Sequence, residues 1–290
     1  MRHRETFTGL FFVTPFLIGS LAFFFYPVLS SFILSFGEID KAQAGFHILV
    51  TGLQNYNRAF FEDINFVPLL LNVIRSTLIN VPLIVVISLL LAIMLNKLTW
   101  LKGFFRVVVL LPFLLGTGEV MQQLLSQKVD QQIISIANGE LIPREFLVYL
   151  GNDIMNLLDT LFGRIVNVLW SSGVQTLLFL SAIQNISVSL YESAKIDGAN
   201  EYEMFWKITL PMVSPVMLLI IVYTIINSFT DTNNGLLAYI QTQSTFYAQH
   251  GYAAAMGWIY FAFILLLILV ISLFIGGYVR HNQVEGRKAR

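Results

Sequence analysis

Long apolar runs constrain this chain more than any other feature of its 290 residues. A helix that crosses the hydrocarbon core of a bilayer needs about 20 predominantly apolar residues. Lipid cannot satisfy backbone N–H and C=O groups, so each run is expected to be helical. The runs cover residues 10–34, 78–95, 104–125, 165–183, 212–229 and 257–278. The sequence therefore predicts an all-α membrane protein with six transmembrane helices in a single domain over residues 1–290.

The charged residues and the motifs that are missing exclude several classes of function. Only 12% of the residues are charged, and the formal net charge is zero, so nucleic acid is not an expected partner. The chain has no cysteine, and its four histidines are scattered, so neither a thiolate nor a metal site is expected. No glycine is followed by lysine, which excludes the G-x-x-x-x-G-K-[ST] phosphate loop. We therefore expect this chain to bind no cofactor, and any ATP to be bound by another protein.

The distribution of lysine and arginine predicts the orientation in the membrane. The side that carries both termini and the connections 96–106 and 184–210 holds eleven of the 17 basic residues, mostly in short segments. Both termini are therefore expected to be cytoplasmic. The two long connections, residues 37–67 and 126–164, are expected to lie on the outer side.

The cytoplasmic connection over residues 189–211 has the pattern of two short helices joined by a turn. Ser189 and Glu192 have the spacing of a capping box at the start of the first helix. Gly198 can adopt a positive φ in the turn, and Asn200 can cap the second helix. We expect that second helix to end at Pro211.

Three aromatic residues, Tyr202, Phe205 and Trp206, lie among charged residues in this connection and outside any spanning run. An apolar surface of this kind covers a partner protein or packs against its own helix bundle. Physical reasoning alone leaves both readings open.

The same connection resembles the EAA loop of binding-protein-dependent transport permeases. That loop has roughly the pattern E-A-A, three residues, G, about nine residues and I-x-L-P. Here Ser193 is the single departure from the opening triplet, a change from one small residue to another. The residues that match are Glu192, Ser193 and Ala194, then Asp197, Gly198 and Ala199, then Phe205 and the segment ending at Pro211.

The resemblance covers most of the chain and extends to carbohydrate-type permeases, in particular the first permease partner of maltose- and glycerol-phosphate-type systems. It includes the segments 14–36, 103–112 and 251–256, together with Trp170 and Gly173. It fails in residues 126–164 and 230–235. The resemblance implies a type I ABC importer permease bundle (MetI-like) with a cytoplasmic helix-turn-helix.

The resemblance also implies function and partners. The chain would be a non-catalytic subunit that forms half of the pathway for a sugar or oligosaccharide in the bacterial cytoplasmic (inner) membrane, in contact with lipid. Its partners would be a paralogous six-helix permease in a heterodimer, two cytoplasmic ABC ATPases that bind ATP and Mg, and an extracytoplasmic solute-binding protein. In the EAA loop, Glu192 would pair with a basic group on the ATPase, Gly198 would let the two helices meet closely, and Phe205 would fill an apolar hollow.

Polar residues within the predicted spans are candidates for the substrate pathway, because polar groups in a membrane face the protein interior or water. Residues spaced by four lie on one helix face, and hydroxyl, amide and aromatic groups suit a sugar. Interhelical hydrogen bonding is the competing interpretation. The candidates are Asn167, Trp170, Ser171 and Gln175 in the fourth span, Tyr223, Asn227 and Asp231 in the fifth, and Glu119 and Gln123 in the third.

Three other functions stay open as alternatives. An ABC importer permease for a non-sugar solute would have the same loop. A secondary transporter would need a deep ion site and usually an internal repeat, and neither is visible in the sequence. An assembly or sensor protein would use the aromatic connection to bind a partner, whereas a membrane enzyme lacks a recognisable catalytic motif here.

Overall fold

The computed structural model describes residues 12–39, 48–98, 102–115, 165, 168–231 and 234–288. The predicted outer loop 126–164 lies outside these residues. Asn167, Glu119 and Gln123 also lie outside them. The chain forms two compact units. The first unit contains the described residues up to Val73 together with Asn234–Leu265, and the second contains Ile74–Asn233 and the residues from Leu266 onward.

Helices dominate the described residues. In the first part of the chain these are α1 (Phe12–Ser35), α2 (Gln54–Asn57), α3 (Phe66–Lys97) and α4 (Lys102–Leu115), with the strands β1 (Gly37–Ile39) and β2 (Ile48–Val50) between α1 and α2. In the second part they are α5 (Gly173–Gln184), α6 (Val188–Ile196), α7 (Glu201–Phe229), α8 (Gly235–Thr245) and α9 (His250–Lys288).

Four helices in the described part of the chain are long and apolar enough to cross a membrane, namely α1, α3, α7 and the first 25 residues of α9. A fifth span results if α5 and α6, which are bent by 66° at a short break, count as one. The described part of α4 is 14 residues long and begins at Lys102, two residues before the predicted third span. Several of the predicted spans are thus helices in the structure, and the total of six stays a prediction.

Helices α3 and α9 begin earlier than the apolar runs indicate. Helix α3 begins at Phe66, twelve residues before the predicted start, and α9 begins at His250 rather than at residue 257. Apolar runs report only the part of a helix that lipid surrounds. Phe66 and Leu70, one turn apart at the start of α3, are both buried, so protein packing extends this helix beyond that part.

The connection 37–67, which is predicted as a long outer loop, contains a short β-hairpin. β1 and β2 form an antiparallel pair in which Gly37 faces Val50. The Asn55 side chain donates hydrogen bonds to the carbonyl oxygens of Ser35 and Gly37, both at 3.1 Å, and holds the start of the ladder against α1. Strand pairing is compatible with the predicted position of this connection outside the bilayer, because the rule that only helices or closed barrels form applies within lipid.

Two of the prolines that lie inside continuous helices, Pro27 and Pro211, are each preceded by a π-helical turn. Proline has no N–H, and its ring clashes with the carbonyl four residues earlier. In α1 the turn Leu21–Phe25 precedes Pro27, and the Tyr26 amide donates to the oxygen five residues back. In α7 the turn Phe205–Thr209 precedes Pro211 in the same way. The expectation that the helix ends at Pro211 is therefore wrong, because the wider turn accommodates the ring.

A carboxylate joins three elements of the first unit. Oδ2 of Asp63 accepts hydrogen bonds from the hydroxyls of Tyr239 on α8 and Tyr252 on α9, at 2.8 and 2.5 Å. Its Oδ1 accepts from the amides of Asn65 and Phe66 and so caps α3. Partial burial acts to raise the pKa of Asp63, but the four donors outweigh it and hold that pKa below its usual value of 3.8.

A close backbone approach fixes α9 against β1 within the first unit. A Cβ added to Gly251 would lie 1.8 Å from the Gly37 carbonyl oxygen and 3.2 Å from that of Leu34. No side chain can be accommodated at such distances without moving the backbone. Glycine at residue 251 is therefore a packing requirement.

Gly251→Ala is expected to destabilise the protein by about 1–3 kcal/mol, because the new methyl group overpacks a backbone contact. Gly257→Ala, in the same helix, is the control, since nothing lies within 4 Å of a Cβ placed there. The midpoint of thermal unfolding in detergent, monitored by size-exclusion chromatography, is measured for both variants. Equal midpoints for the two variants would contradict the packing described.

Asp63 is expected to make the stability of the first unit sensitive to acid. Its folded pKa is depressed, so its contribution is complete above the unfolded value and is lost as the pH falls through the folded value, below 3.8. Between about pH 6 and about pH 3, Asp63→Asn should flatten the fall in unfolding midpoint relative to wild type. Glu62→Gln removes the adjacent, exposed charge and serves as the control. Parallel curves for wild type and Asp63→Asn would contradict this role.

Candidate functional site

The connection between α5 and α7 forms a helix-turn-helix whose turn is set by Gly198. Gly198 has a φ of +82°, which glycine adopts without strain. Its amide donates to the Lys195 oxygen at 3.1 Å, and the Ala199 amide donates to the Ala194 oxygen at 2.9 Å. These two bonds form a Schellman motif that ends α6. The turn predicted at Gly198 is confirmed.

Asn200 begins the next helix with a complete capping box. The Glu203 amide donates to Asn200 Oδ1 at 2.8 Å, and the Asn200 amide donates to Glu203 Oε2 at 3.1 Å. Glu201 and Glu203 place negative charge in the first turn, where the helix dipole favours it. The predicted cap at Asn200 is therefore confirmed.

The capping box predicted for Ser189 and Glu192 is wrong. Helix α6 begins at Val188, and its N-cap residue, Ser187, makes no side-chain cap hydrogen bond. The hydroxyls of Ser187 and Ser189 bond to each other at 2.7 Å. Glu192 consequently lies one turn inside the helix with its side chain exposed, which leaves the carboxylate accessible to another protein.

A hydrogen bond between hydroxyls holds the two helices of this site together. The Tyr191 hydroxyl on α6 lies 2.9 Å from Thr209 Oγ1 in the π-helical turn of α7. Thr209 is buried, and its hydroxyl also lies 3.4 Å from the Met204 oxygen. No sequence pattern links residues 191 and 209, so this contact could be found only from the structure.

The helix-turn-helix exposes several large apolar side chains. Ile196, at the end of α6, is 87% exposed, and Tyr202 and Trp206 are exposed on the first turns of α7. Phe205 is half-buried, with its ring centroid 5.2 Å from that of Trp206. Apolar side chains exposed outside a spanning run are typical of a surface that binds another protein.

Charged residues at the edge of this surface connect it to α3. Lys97, the last residue of α3, lies 2.6 Å from Glu201 at the start of α7. Lys207 lies 3.7 Å from Glu203 one turn away. All four side chains are well exposed, so salt screens these pairs and they orient the segment more than they stabilise it.

Gln175, a candidate for the substrate pathway, joins two helices of the second unit. It is fully buried on α5, and its amide nitrogen donates to Thr224 Oγ1 on α7 at 3.2 Å. Its Oε1 is buried and has no hydrogen-bond partner among the described residues. This geometry agrees with the interhelical interpretation of Gln175, and a contact with substrate stays a prediction.

The other pathway candidates are placed differently. Asp231 does not share the helix face of Tyr223 and Asn227, because α7 ends at Phe229 and Asp231 is exposed beyond it. A turn at Ser172 also interrupts the helix between Ser171 and Gln175. The half-buried candidates are Trp170, Ser171, Tyr223 and Asn227, while Asn167, Glu119 and Gln123 lie outside the described residues.

Small hydroxyl residues that the sequence reading did not single out make further contacts between helices. Thr77 Oγ1 on α3 lies 3.0 Å from Ser228 Oγ on α7, and Ser88 Oγ lies 3.5 Å from the Ser172 oxygen. Isolated serines and threonines in apolar runs are the signal that could have indicated these contacts. Within the described ranges, no group of three His, Asp or Glu side chains is placed to hold a metal ion.

The sequence also has clear relatives. The model of a family described as "Binding-protein-dependent transport system inner membrane component" matches residues 65–284. The arabinooligosaccharides transport system permease protein AraP of Bacillus subtilis (strain 168) is 32% identical over 90% of this chain and 85% of its own length. The lactose transport system permease protein LacF of Rhizobium radiobacter is 30% identical over 72% of this chain and 68% of its own length.

A solved structure has a similar fold. It is the crystal structure of a bacterial alginate ABC transporter in complex with an alginate pentasaccharide-bound periplasmic protein. One of its chains superposes on this chain with a TM-score of 0.65. The match covers 96% of each chain, and the two sequences are 19% identical.

Gln175→Leu is expected to leave the free energy of unfolding unchanged or to raise it, since it removes a buried oxygen that has no partner. Thr224 keeps its bond to the Ile220 oxygen, at 2.7 Å, so no donor is orphaned. Gln175→Glu, of almost the same shape, should cost at least about 2 kcal/mol because it places a carboxyl group in a buried position. Thermal unfolding in detergent compares the two, and a large loss of stability in Gln175→Leu would show that the polar contact is needed.

Proposed function

The chain belongs to the family of binding-protein-dependent transport system inner membrane components, and from this membership we propose that it is the permease subunit of an ATP-driven importer of a sugar or oligosaccharide. Relatives at 30% and 32% identity carry the names of lactose and arabinooligosaccharide transport permeases, which supports this class of cargo. Members of such a family are transport subunits. ATP hydrolysis is assigned to a separate subunit, because this chain has no phosphate loop.

The continuity of α7 is the observation that carries the proposed mechanism. Residues Glu201–Phe229 form one helix, whose first turns carry the exposed Tyr202 and Trp206 and whose later turns form a predicted span. An ATPase that moves the helix-turn-helix therefore also moves the predicted span 212–229, which is part of the same helix. The hydrogen bond between Tyr191 and Thr209 makes α6 move with it.

In this mechanism the two conformations of the ATPase pair select two conformations of the permease. The ATPase does mechanical work only through contacts that differ between the two states. Glu192 is exposed on α6 for pairing with a basic group of the ATPase, and Ile196 and Tyr202 offer apolar surface beside it. Closure of the ATPase dimer would turn the pathway from inward-open to outward-open, which is a rigid-body transition of packed helices.

The polar groups in the described spans suit a neutral cargo. Residues 78–95, 173–184, 212–229 and 257–274 contain no Lys, Arg, Asp or Glu. A phosphate ester is held by arginine, lysine or helix N-termini, whereas a sugar is bound by hydroxyl, amide and aromatic groups. Tyr223 and Asn227 on α7, together with Trp170 and Ser171 before α5, are half-buried groups of the second kind.

The proposed assembly contains two permeases and two other kinds of partner. We assign six spans to this chain, with both termini in the cytoplasm of a bacterial cell and the bundle in its cytoplasmic membrane. A paralogous permease completes the pathway, and two ATPases bind the cytoplasmic loops. A solute-binding protein delivers the cargo from outside, as the similar alginate transporter was solved with a periplasmic protein.

Purification from native membranes in a mild detergent tests this assignment. The importer predicts co-purification of an ATPase that carries a phosphate loop and of a second six-helix permease, and a binding protein that stimulates ATP hydrolysis in proteoliposomes. If the chain is recovered alone, even after cross-linking from residues 196 and 202, the helix-turn-helix is not an ATPase contact.

Gly198→Asp and Glu192→Lys are expected to abolish uptake, at least about 100-fold, while membrane insertion is retained. The aspartate is strained at a φ of +82°, and the lysine reverses an exposed charge that is expected at the ATPase. Ser193→Ala, which restores the residue usual in the EAA loop, is the matched control. Uptake of labelled oligosaccharide and the amount of protein in the membrane are measured together, and normal uptake in both variants would exclude the proposed coupling.

A further inference from the structure

In the second unit, helices α3 and α7 run antiparallel and are joined by polar contacts near both ends. Nζ of Lys97, the last residue of α3, lies 2.6 Å from Oε2 of Glu201, the first residue of α7. Near the other end, Thr77 Oγ1 lies 3.0 Å from Ser228 Oγ. Thr77 and Lys97 are 20 residues apart, which is about 30 Å along the helix axis. The two contacts therefore join α3 to α7 at widely separated points.

Apolar packing between these two contacts is incomplete. A cavity of about 270 Å³ lies between α3, α7 and α9, with Val81 and Val85 on one wall and Ile221 and Ile225 on another. Apolar contacts are not directional, so they do not fix how far one helix lies along the other. Hydrogen bonds are directional, and those at the two ends therefore set the position of α3 along α7.

Each partner of the ion pair is favoured by its own helix. Lys97 lies at the carboxyl end of α3, where the helix dipole stabilises a cation, and Glu201 lies in the first turn of α7, where the dipole stabilises an anion. The capping box at Asn200 fixes the backbone next to Glu201. Lys195 on α6 attracts the same carboxylate. Glu201 is thus held between the end of the second predicted span and the helix-turn-helix.

The ion pair is exposed, so it contributes more to the position of the helices than to stability. The side chains of Lys97 and Glu201 are 63% and 76% exposed, and water and salt weaken the attraction between charges at such a surface. A protein without the pair should therefore fold and insert into the membrane. It would lose a direct contact between the cytoplasmic end of α3 and the segment that is expected to bind the ATPase.

We propose that Lys97 is a positioning residue through which the ATPase moves α3 together with α7. The proposal rests on the proposed function, and it adds the second span to the parts of the permease that the helix-turn-helix moves. The Lys97–Glu201 pair stays formed through the transport cycle, so that the end of α3 follows Glu201 in both conformations. Without the pair, movement of α7 must reach α3 through contacts deeper in the bundle, such as that of Thr77.

Stimulation of ATP hydrolysis by the solute-binding protein measures this transmission without knowledge of the cargo. The assembled importer is used in nanodiscs, with the binding protein that stimulates wild type. In Lys97→Met and in Glu201→Gln, the ratio of stimulated to unstimulated hydrolysis should fall at least about threefold. The double variant should equal the single ones, because all three remove the same contact. Lys97→Arg, which keeps the charge and can donate the same hydrogen bond, should retain the wild-type ratio.

Lys207→Met is the matched control. Lys207 is also an exposed lysine paired with a glutamate in the first turn of α7, but that partner, Glu203, lies in the same helix at 3.7 Å. Its removal changes the charge of the segment equally and leaves the contact between α3 and α7 intact. Lys207→Met should keep the wild-type ratio. The amount of ATPase that co-purifies should be the same for Lys97→Met, Lys207→Met and wild type.

A covalent cross-link tests whether the two residues stay together through the cycle. The chain has no cysteine, so Lys97→Cys with Glu201→Cys gives it two thiols. We expect this variant to have the low ratio of Lys97→Met. A short bismaleimide that joins the two thiols, verified by mass spectrometry of the joined peptides, should restore the wild-type ratio, which a loss of stability alone would not allow.

The remaining outcomes overturn the proposal. A wild-type ratio in Lys97→Met, or equal losses in Lys97→Met and Lys207→Met, would show that the contact with α3 is not used. Loss of the ATPase from Lys97→Met would make Lys97 a contact of the ATPase instead. A cross-link that blocks stimulation would mean that the pair opens during the cycle, and failure to form it would place the two residues apart. If no binding protein stimulates wild type, the proposed function has failed, while the cross-link still tests the pairing of residues 97 and 201.

Discussion

The continuity of α7, from its exposed first turns into its predicted span, is the constraint on which the rest of the proposed mechanism depends. Lipid offers the backbone no partners, so the part of this helix inside the membrane cannot bend without cost. The same helix begins at Glu201, in a segment that exposes Tyr202 and Trp206. Force applied at that end is therefore carried along one rigid element, and the contacts of Gln175 and Ser228 distribute it to α5 and α3.

Features that depend on neighbouring residues were predictable from the sequence. Apolar runs located α1, α3, α7 and α9, although apolarity reports the lipid-immersed part and misses the turns that continue beyond it. Gly198 and Asn200 were predictable for the same reason, since a positive φ and an amide cap are properties of single residues and their immediate neighbours. The EAA pattern added a functional meaning that these local rules do not contain.

Features that depend on distant residues were not predictable. The β-hairpin needs Asn55 to hold its first strand, and Tyr191 needs Thr209, and neither pair has a periodic signal. The predicted cap at Ser189 is wrong because α6 begins one residue earlier, at Val188, and the Ser189 hydroxyl bonds to that of Ser187. The helix face predicted to include Asp231 is wrong because α7 ends before that residue. The pathway residues are the least determined part of the site, since a polar side chain in a span serves equally for packing and for binding until its partners are known.

The π-helical turn before Pro211 gives the chain a place where its length can change with little disturbance. Such a turn is a normal helix with one extra residue, and each residue of a helix rotates the chain by about 100°. Losing that residue would regularise the turn and swivel α6, with its exposed Glu192, around the axis of the span. Single-residue insertions and deletions at residues 205–209 would thus change, over evolution, the angle at which the permease contacts its ATPase. The residues on the two contacting surfaces would stay the same.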